Sequence, residues 1–410
     1  MKVFQMKEVT RLGFRDRFLI LLAAAILVIQ DSLRNIPGLG QSQMFFTIGI
    51  AAALFLSNFL LLFSRPNRLT QSKMRPTHVF LFVLFIGLAV YSVALNPRES
   101  GFQNVLVWAL VPMTYLVTLR GNPENISYLI RSVKVSINIA ASIYLLSLLA
   151  LFLGIIDFTI YGNRSAGWVF ALTLAFLAPK LASEKSIGFA VLPFLAVLFS
   201  LSRTAGVVAL LAMSILIVLR ITNTEIKLGI RAVMNLVLSF ATLLGAAWLV
   251  FSSLETVQSR FIGGDNFEFG GVQINTSGRG TIWTFVLSGI QNHFWFGAGP
   301  GASQDLISGI FAGRVEHPHN EYLRIWYDLG LVGLAIFVSA WMLVIFLLIR
   351  AATRETNLDF RAAQIGSAIL VLGFLAGCFT DNVTIYFFLV YPLALVTGFT
   401  LGTQDKNKKT

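Results

Sequence analysis

The sequence holds one cysteine in 410 residues, Cys378, and that residue lies inside an apolar run. A lone cysteine excludes an internal disulfide and a cysteine-built metal site. Charge is also scarce. Asp, Glu, Lys and Arg make up 12% of the chain, against about 25% in a soluble domain. The outer loops assigned below carry no acidic pair and no Asp-x-Asp pattern, so no metal and no other cofactor is expected.

Apolar residues fill the space these absences leave. They make up 56% of the chain, and Phe alone takes 36 positions. Mean hydropathy is +0.77. Apolar runs occur at 18–33, 43–63, 77–95, 102–119, 129–156, 167–179, 187–202, 204–219, 232–253, 323–349, 363–380 and 384–401. Several reach the length of about 20 residues that crosses a bilayer, while 167–179 is short for a span and 187–219 can also be read as one broken helix. The expectation is an all-α polytopic membrane protein of about twelve spans, forming a single domain over 1–410. The first run follows basic residues but has no small-residue cleavage site after it, so it reads as a span and not a removable leader.

The net charge of +12 does not read as nucleic-acid binding, because the charges fall in loops between apolar runs. With the N-terminus inside and spans alternating, 23 of the 31 Lys and Arg residues lie on the inner side. This satisfies the positive-inside rule and predicts cytoplasmic N- and C-termini. Merging 187–219 into one span would invert everything after it. Every lysine falls inside. The outer cations are all arginine: Arg34, Arg98, Arg164, Arg203, Arg260, Arg279, Arg314 and Arg324. Arginine suits bidentate phosphate contact and stays charged in a low-dielectric site. An outer face that keeps arginine and excludes lysine points to a bound anion, although Arg34 and Arg98 read better as surface residues.

One long outer loop, 254–322, separates spans nine and ten. Its Ser253–Asn275 part is polar and Gly-rich. Thr281–Phe296 is too short and polar to span but suits a helix lying at the interface. Gly297-Ala298-Gly299-Pro300-Gly301 is a turn, and Asp305–Phe311 is a second short segment. The loop ends in His317-Pro318-His319-Asn320-Glu321-Tyr322, which holds two of the four histidines. Histidine is the side chain best able to move a proton near neutral pH.

Four features share the outer face in this topology. Arg164 lies in Gly162-Asn163-Arg164-Ser165-Ala166-Gly167, and Arg203 in Ser202-Arg203-Thr204-Ala205-Gly206. Arg279 lies in Gly278-Arg279-Gly280-Thr281-Ile282-Trp283, and His319 at the start of span ten. Arginines at helix ends in a membrane are costly unless paired or functional; snorkelling and loop salt bridges are the structural alternatives. Three arginines and a histidine imply an anionic substrate and a proton acceptor. A lipid-linked diphosphate is anionic, membrane-resident and a good leaving group.

His319-Asn320, then Gly330 and Gly333 at fixed spacing, resembles the signature of the O-antigen ligase and O-antigen polymerase superfamily. The Arg164, Ser202-Arg203 and Arg279…Trp283 segments resemble its other landmarks in order. The resemblance implies a GT-C-like membrane architecture and an inverting, metal-independent glycosyltransferase. Such an enzyme moves a glycan from undecaprenyl diphosphate to a sugar hydroxyl on the periplasmic side of the bacterial inner membrane. By motif, Arg164, Arg203 and Arg279 would hold the diphosphate and His319 would be the base. His317, Asn320 and Asp381 are accessory candidates. Ligation to lipid A-core is preferred to repeat-unit polymerisation, on length and the single modest loop. A small-anion transporter fits less well, because its ionisable groups would lie near mid-membrane on repeated halves. A non-catalytic scaffold would have no need of His319.

Overall fold

The computed structural model describes residues 14–32, 43–63, 77–118, 125–184, 186–222, 234–235, 237–245, 266–269, 272–275, 279–313 and 315–402. The helices before the long loop are α1 (Phe14–Ile29), α2 (Gln43–Phe63), α3 (Thr77–Leu95), α4 (Glu99–Thr118), α5 (Ile126–Phe152), α6 (Asn163–Glu184), α7 (Gly188–Phe199) and α8 (Arg203–Thr222). Within the loop come β1 (Asn266–Phe269), β2 (Val272–Asn275), α9 (Arg279–Ile290) and α10 (Ala302–Ile310). The chain closes with α11 (Glu321–Ala352), α12 (Leu358–Thr380) and α13 (Phe387–Leu401).

This is a polytopic helical membrane protein. Among the described residues, seven helices are long and apolar enough to cross a bilayer: α3, α4, α5, α6, α8, α11 and α12. Residues 48–62 of α2, with α7 and α13, are apolar but shorter. The expected ninth run, 232–253, is helical at 234–235 and 237–245, and the rest of it lies outside the described residues. Residues 187–222 form two helices, α7 and α8, with a tight turn at Ser200–Ser202.

The run at 167–179 understates its helix because α6 faces protein and not lipid. Every side chain from Ser165 to Pro179 is buried. A helix enclosed by α8, α12 and α7 gains from small residues that allow close approach more than from bulk apolarity. Gly366 of α12 meets it so closely that a Cβ there would overlap the Phe176 carbonyl.

The loop is not wholly helical, as the all-α expectation had it. β1 and β2 pair antiparallel, with Phe267 opposite Ile274 and Phe269 opposite Val272. The alternation Phe267, Phe269, Val272, Ile274 around Gly270-Gly271 is a two-residue hairpin signature that a polar, Gly-rich reading passes over. α9 and α10 pack on α11 through a small second core of Ile282, Val286, Ile290, Ala302, Ile307 and Tyr327.

α11 is broken where the signature glycine stands. Gly330 has φ 71° and ψ −178°, a region open essentially to glycine alone. The break leaves helical carbonyls and amides without partners, and the loop supplies them. Ala298 N donates to the Tyr327 carbonyl at 2.9 Å and Gly299 N to the Asp328 carbonyl at 2.9 Å. Leu331 N donates to the Phe294 carbonyl at 2.8 Å and Val332 N to the Trp295 carbonyl at 3.2 Å. The Asp328 carboxylate accepts from Gly301 N at 3.0 Å and Ser303 N at 2.9 Å, which closes the start of α10. A Cβ at Gly330 would overlap the Trp295 carbonyl group. Gly330→Ala therefore combines a forbidden backbone angle with a clash, and is expected to cost about 3 kcal/mol or more. Thermal unfolding in detergent checks this; an unchanged midpoint would refute the account of the kink.

Candidate functional site

Five loops and helix ends meet at one point, and each has a local reason to be there. Arg164 sits in the first turn of α6. The turn before it is held by Asp31, just past α1, which accepts from Gly162 N at 3.2 Å and from the Ser165 hydroxyl. The Tyr161 hydroxyl ties the same turn to the Val28 carbonyl. Arg203 opens α8 after Leu201, whose φ is 53°. Gly167 of α6 lies against Ser200 so closely that a Cβ would overlap the hydroxyl. That contact sets the Arg203 turn beside Arg164, and the two charges act on each other.

Arg279 opens α9 and its Nη1 donates to the Thr380 carbonyl at the end of α12. One turn on, Trp283 Nε1 donates to the Pro318 carbonyl at 2.8 Å, which fixes the histidine loop. Trp168, four residues after Arg164, does the parallel work on α6. Its Nε1 donates to Asp381 Oδ2 at 3.1 Å. Twice, then, an arginine and a tryptophan four apart share a helix face. The arginine enters the cluster and the tryptophan anchors a neighbouring loop. That repeated spacing is the signal by which the sequence could have revealed Trp168 and Trp283 as supports. Asp31 has a weaker signal, an acid at the end of an apolar run.

His319 is the centre. Its φ of 51° is unusual for a residue with a side chain. His319 Nδ1 lies 3.3 Å from Asp381 Oδ1 and 3.1 Å from the Asn382 side-chain amide. Arg164 Nη1 stands 3.3 Å from Nδ1 and 3.5 Å from Nε2. Arg164 Nε also pairs with Asp381 Oδ2 at 3.8 Å. Asp381 is buried, and its Oδ1 accepts from Asn382 N at 2.9 Å. Donation of Nδ1–H to Asp381 leaves the lone pair on Nε2, the tautomer of a proton acceptor.

The electrostatics agree. Burial lowers the His319 pKa below its ordinary 6.5; Asp381 opposes this, and Arg164 and Arg279 add to it. Burial would raise Asp381, but the bond to His319 and the charge of Arg164 outweigh it and hold the carboxyl below its usual range. Burial, then the charge of Arg164, brings Arg279 down to about 10, with Asp381 opposing and Arg203 adding. Like charges gathered this way favour an anion between them.

An expected titration follows. In spectra of histidine-labelled protein, His319 titrates below 6.5. Asp381→Asn moves it lower, because a raising influence is gone, and Arg164→Gln moves it up. Between 6.5 and the lower native value the unfolded chain holds a proton the native one does not, so stability falls as pH drops through that window. A shift in the opposite direction in either variant would overturn this picture.

The remaining sequence candidates take other roles. Asn320 is buried and caps α11, its Oδ1 accepting from Leu323 N at 3.1 Å. His317 is half-buried in the same loop. Arg98, read as a surface residue, pins the loop: Nε meets Asp305 Oδ2 at 2.9 Å and Nη1 the Ala298 carbonyl at 2.9 Å. Arg324, counted among the outer cations, is buried against Glu321 at 2.6 Å and belongs to the support beneath the site. Arg34, Arg260, Gly278 and Arg314 lie outside the described residues.

No curated protein matches the chain. Residues 188–338 match a family model described as O-antigen ligase. The match includes Arg203, Arg279, His319, Gly330 and Gly333, while Arg164 and Asp381 reach the cluster from either side of it. By that match the chain carries a domain of the O-antigen ligase family.

Proposed function

We propose that this protein transfers a glycan from undecaprenyl diphosphate to a sugar hydroxyl, with lipid A-core as acceptor. The observation that carries the reading is the convergence of Arg164 and Arg279 with the His319–Asp381 pair at one point, with Arg203 acting on the same charges. In this reading His319 Nε2 takes the proton of the acceptor hydroxyl. The acceptor oxygen bonds to the anomeric carbon from the face opposite the diphosphate, and the bond from that carbon to the diphosphate oxygen breaks with inversion. The lipid diphosphate leaves carrying the electron pair, and the three arginines stabilise the charge that develops. No metal takes part. Asp381 holds the ring and stabilises the imidazolium.

The same reading has twelve crossings, both termini in the cytoplasm, and the 254–322 loop on the periplasmic side of the inner membrane. The distribution of Lys and Arg supports that orientation. The test is transfer by purified protein in nanodiscs, with a lipid-linked repeat unit as donor, with and without lipid A-core. Product on the core supports ligation. Ladders of longer lipid-linked glycan without core mean polymerisation by the same donor chemistry. Loss in EDTA with rescue by magnesium would count against the metal-free mechanism, and no product at all would sink the reading.

A further inference from the structure

We propose that Phe294, Trp295 and Phe296 form an anchor that seats the loop in the bilayer, at the acyl–headgroup boundary on the side of the arginine cluster. These rings are exposed by 38%, 60% and 66%, although they belong to a segment tied into a membrane helix. Their backbone joins α11 just past its break, Phe294 to Leu331 and Trp295 to Val332. Trp326 Nε1 donates to the Phe294 carbonyl at 3.3 Å and fixes the segment from the other side of the kink.

The depth follows from α11. The helix has 32 residues, where about 20 suffice to span. The part from Gly330 to Ala352 is roughly 33 Å long at 1.5 Å per residue, enough to cross alone. Glu321 to Leu329, with buried Glu321, Arg324 and Asp328, then stands above the hydrocarbon. The kink marks the membrane surface, and the aromatic segment is bonded to it.

The direction follows from the exposed stripe of α11. Ala335, Ser339, Met342, Phe346 and Ile349 are exposed at steps of three and four, the outward face of a spanning helix. Continuing that stripe upward reaches Leu331 and Val332, the two residues that hold the aromatic segment. The ridge therefore extends the face of α11 that meets lipid, and aromatic rings at such a boundary match the belt of membrane proteins. Gln291 and Asn292, exposed just before it, sit on the water side. The anchor also keeps α9 at headgroup level, which puts Arg279 at the depth of a lipid-borne diphosphate; that clause rests on the proposed donor, and the anchor does not.

The test is fluorescence quenching of the full protein in phosphatidylcholine vesicles, with and without 6,7- or 11,12-dibrominated chains. Wild type minus Trp295→Phe isolates the emission of Trp295. We expect bromolipid to remove that difference signal, the 6,7-bromines more than the 11,12, and aqueous iodide to leave it. Phe296→Trp, placed on Trp295→Phe, should restore a signal with the same response. Quenching by iodide and not by bromolipid puts the ridge in water and overturns the proposal. Protection from both means protein covers it, a second copy or another chain, and overturns it as well. Neither readout depends on glycan transfer, so the anchor can fail while the proposed activity stands, and the reverse.

Discussion

Transfer by His319→Ala is expected to fall roughly 10²- to 10⁴-fold, the span a positioned proton acceptor contributes. The ring is held where that role requires. Asp381 takes Nδ1, Trp283 fixes the carbonyl of the preceding Pro318, and the positive φ at His319 turns the side chain out of the line of α11. Asp381→Asn should cost less, because the ring keeps its contacts with Asn382 and Arg164 but loses the carboxylate that selects its tautomer. The two losses should not add. Once His319 is gone, removing Asp381 changes little further, since Asp381 acts through the imidazole. Donor binding, measured separately, should survive His319→Ala, because the arginines remain. Equal transfer by wild type and His319→Ala would remove His319 as the base. A double mutant much worse than His319→Ala would give Asp381 a role of its own.

Some of this was legible in the residues and some was not, and the difference has physical causes. Apolar runs announce helices that face lipid, so α3, α5 and α11 could be read off directly. α6 could be seen only in part, because a helix surrounded by protein needs small residues and no lipid-facing excess. The arginines at Arg164, Arg203 and Arg279 stood out because charge at a helix end in a membrane is costly and has to be explained. Their convergence depends on contacts without a local signature: Gly167 against Ser200, and Asp31 under the turn before Arg164. Gly330 was visible as part of a spaced motif, but its reason, a backbone angle reserved for glycine and a loop bonded into the break, belongs to the fold. Arg324 shows the opposite limit. Its position next to the histidine loop makes it look like a ligand-binding cation, and only its burial reveals a structural partner.

That burial sets the second large expectation: Arg324→Met should destabilise the protein by about 3–5 kcal/mol, the usual cost of stranding one member of a buried ion pair. Arg324 is 1% exposed and Glu321 is not exposed at all. The guanidinium bonds Glu321 Oε2 through Nε at 2.8 Å, Asn104 Oδ1 at 3.2 Å and the Thr384 hydroxyl, and it lies 5.3 Å from the Trp108 ring. Thr384 in turn donates to Glu321 Oε2 at 2.7 Å. One side chain thus ties α4, α11 and the turn after α12 together. Glu321 follows His319 by two residues and Thr384 follows Asp381 by three, so the same bonds set the distance between His319 and Asp381. Replacing Arg324 by methionine keeps most of the volume and leaves the Glu321 carboxylate without its countercharge. The double variant Glu321→Gln, Arg324→Met removes that charge and should recover a large part of the loss, since burying a matched apolar or neutral pair is often no worse than burying ions. Unfolding of the three proteins in one detergent decides the matter. A single variant as stable as wild type, or a double variant no better than the single, would show that the pair does not brace the site.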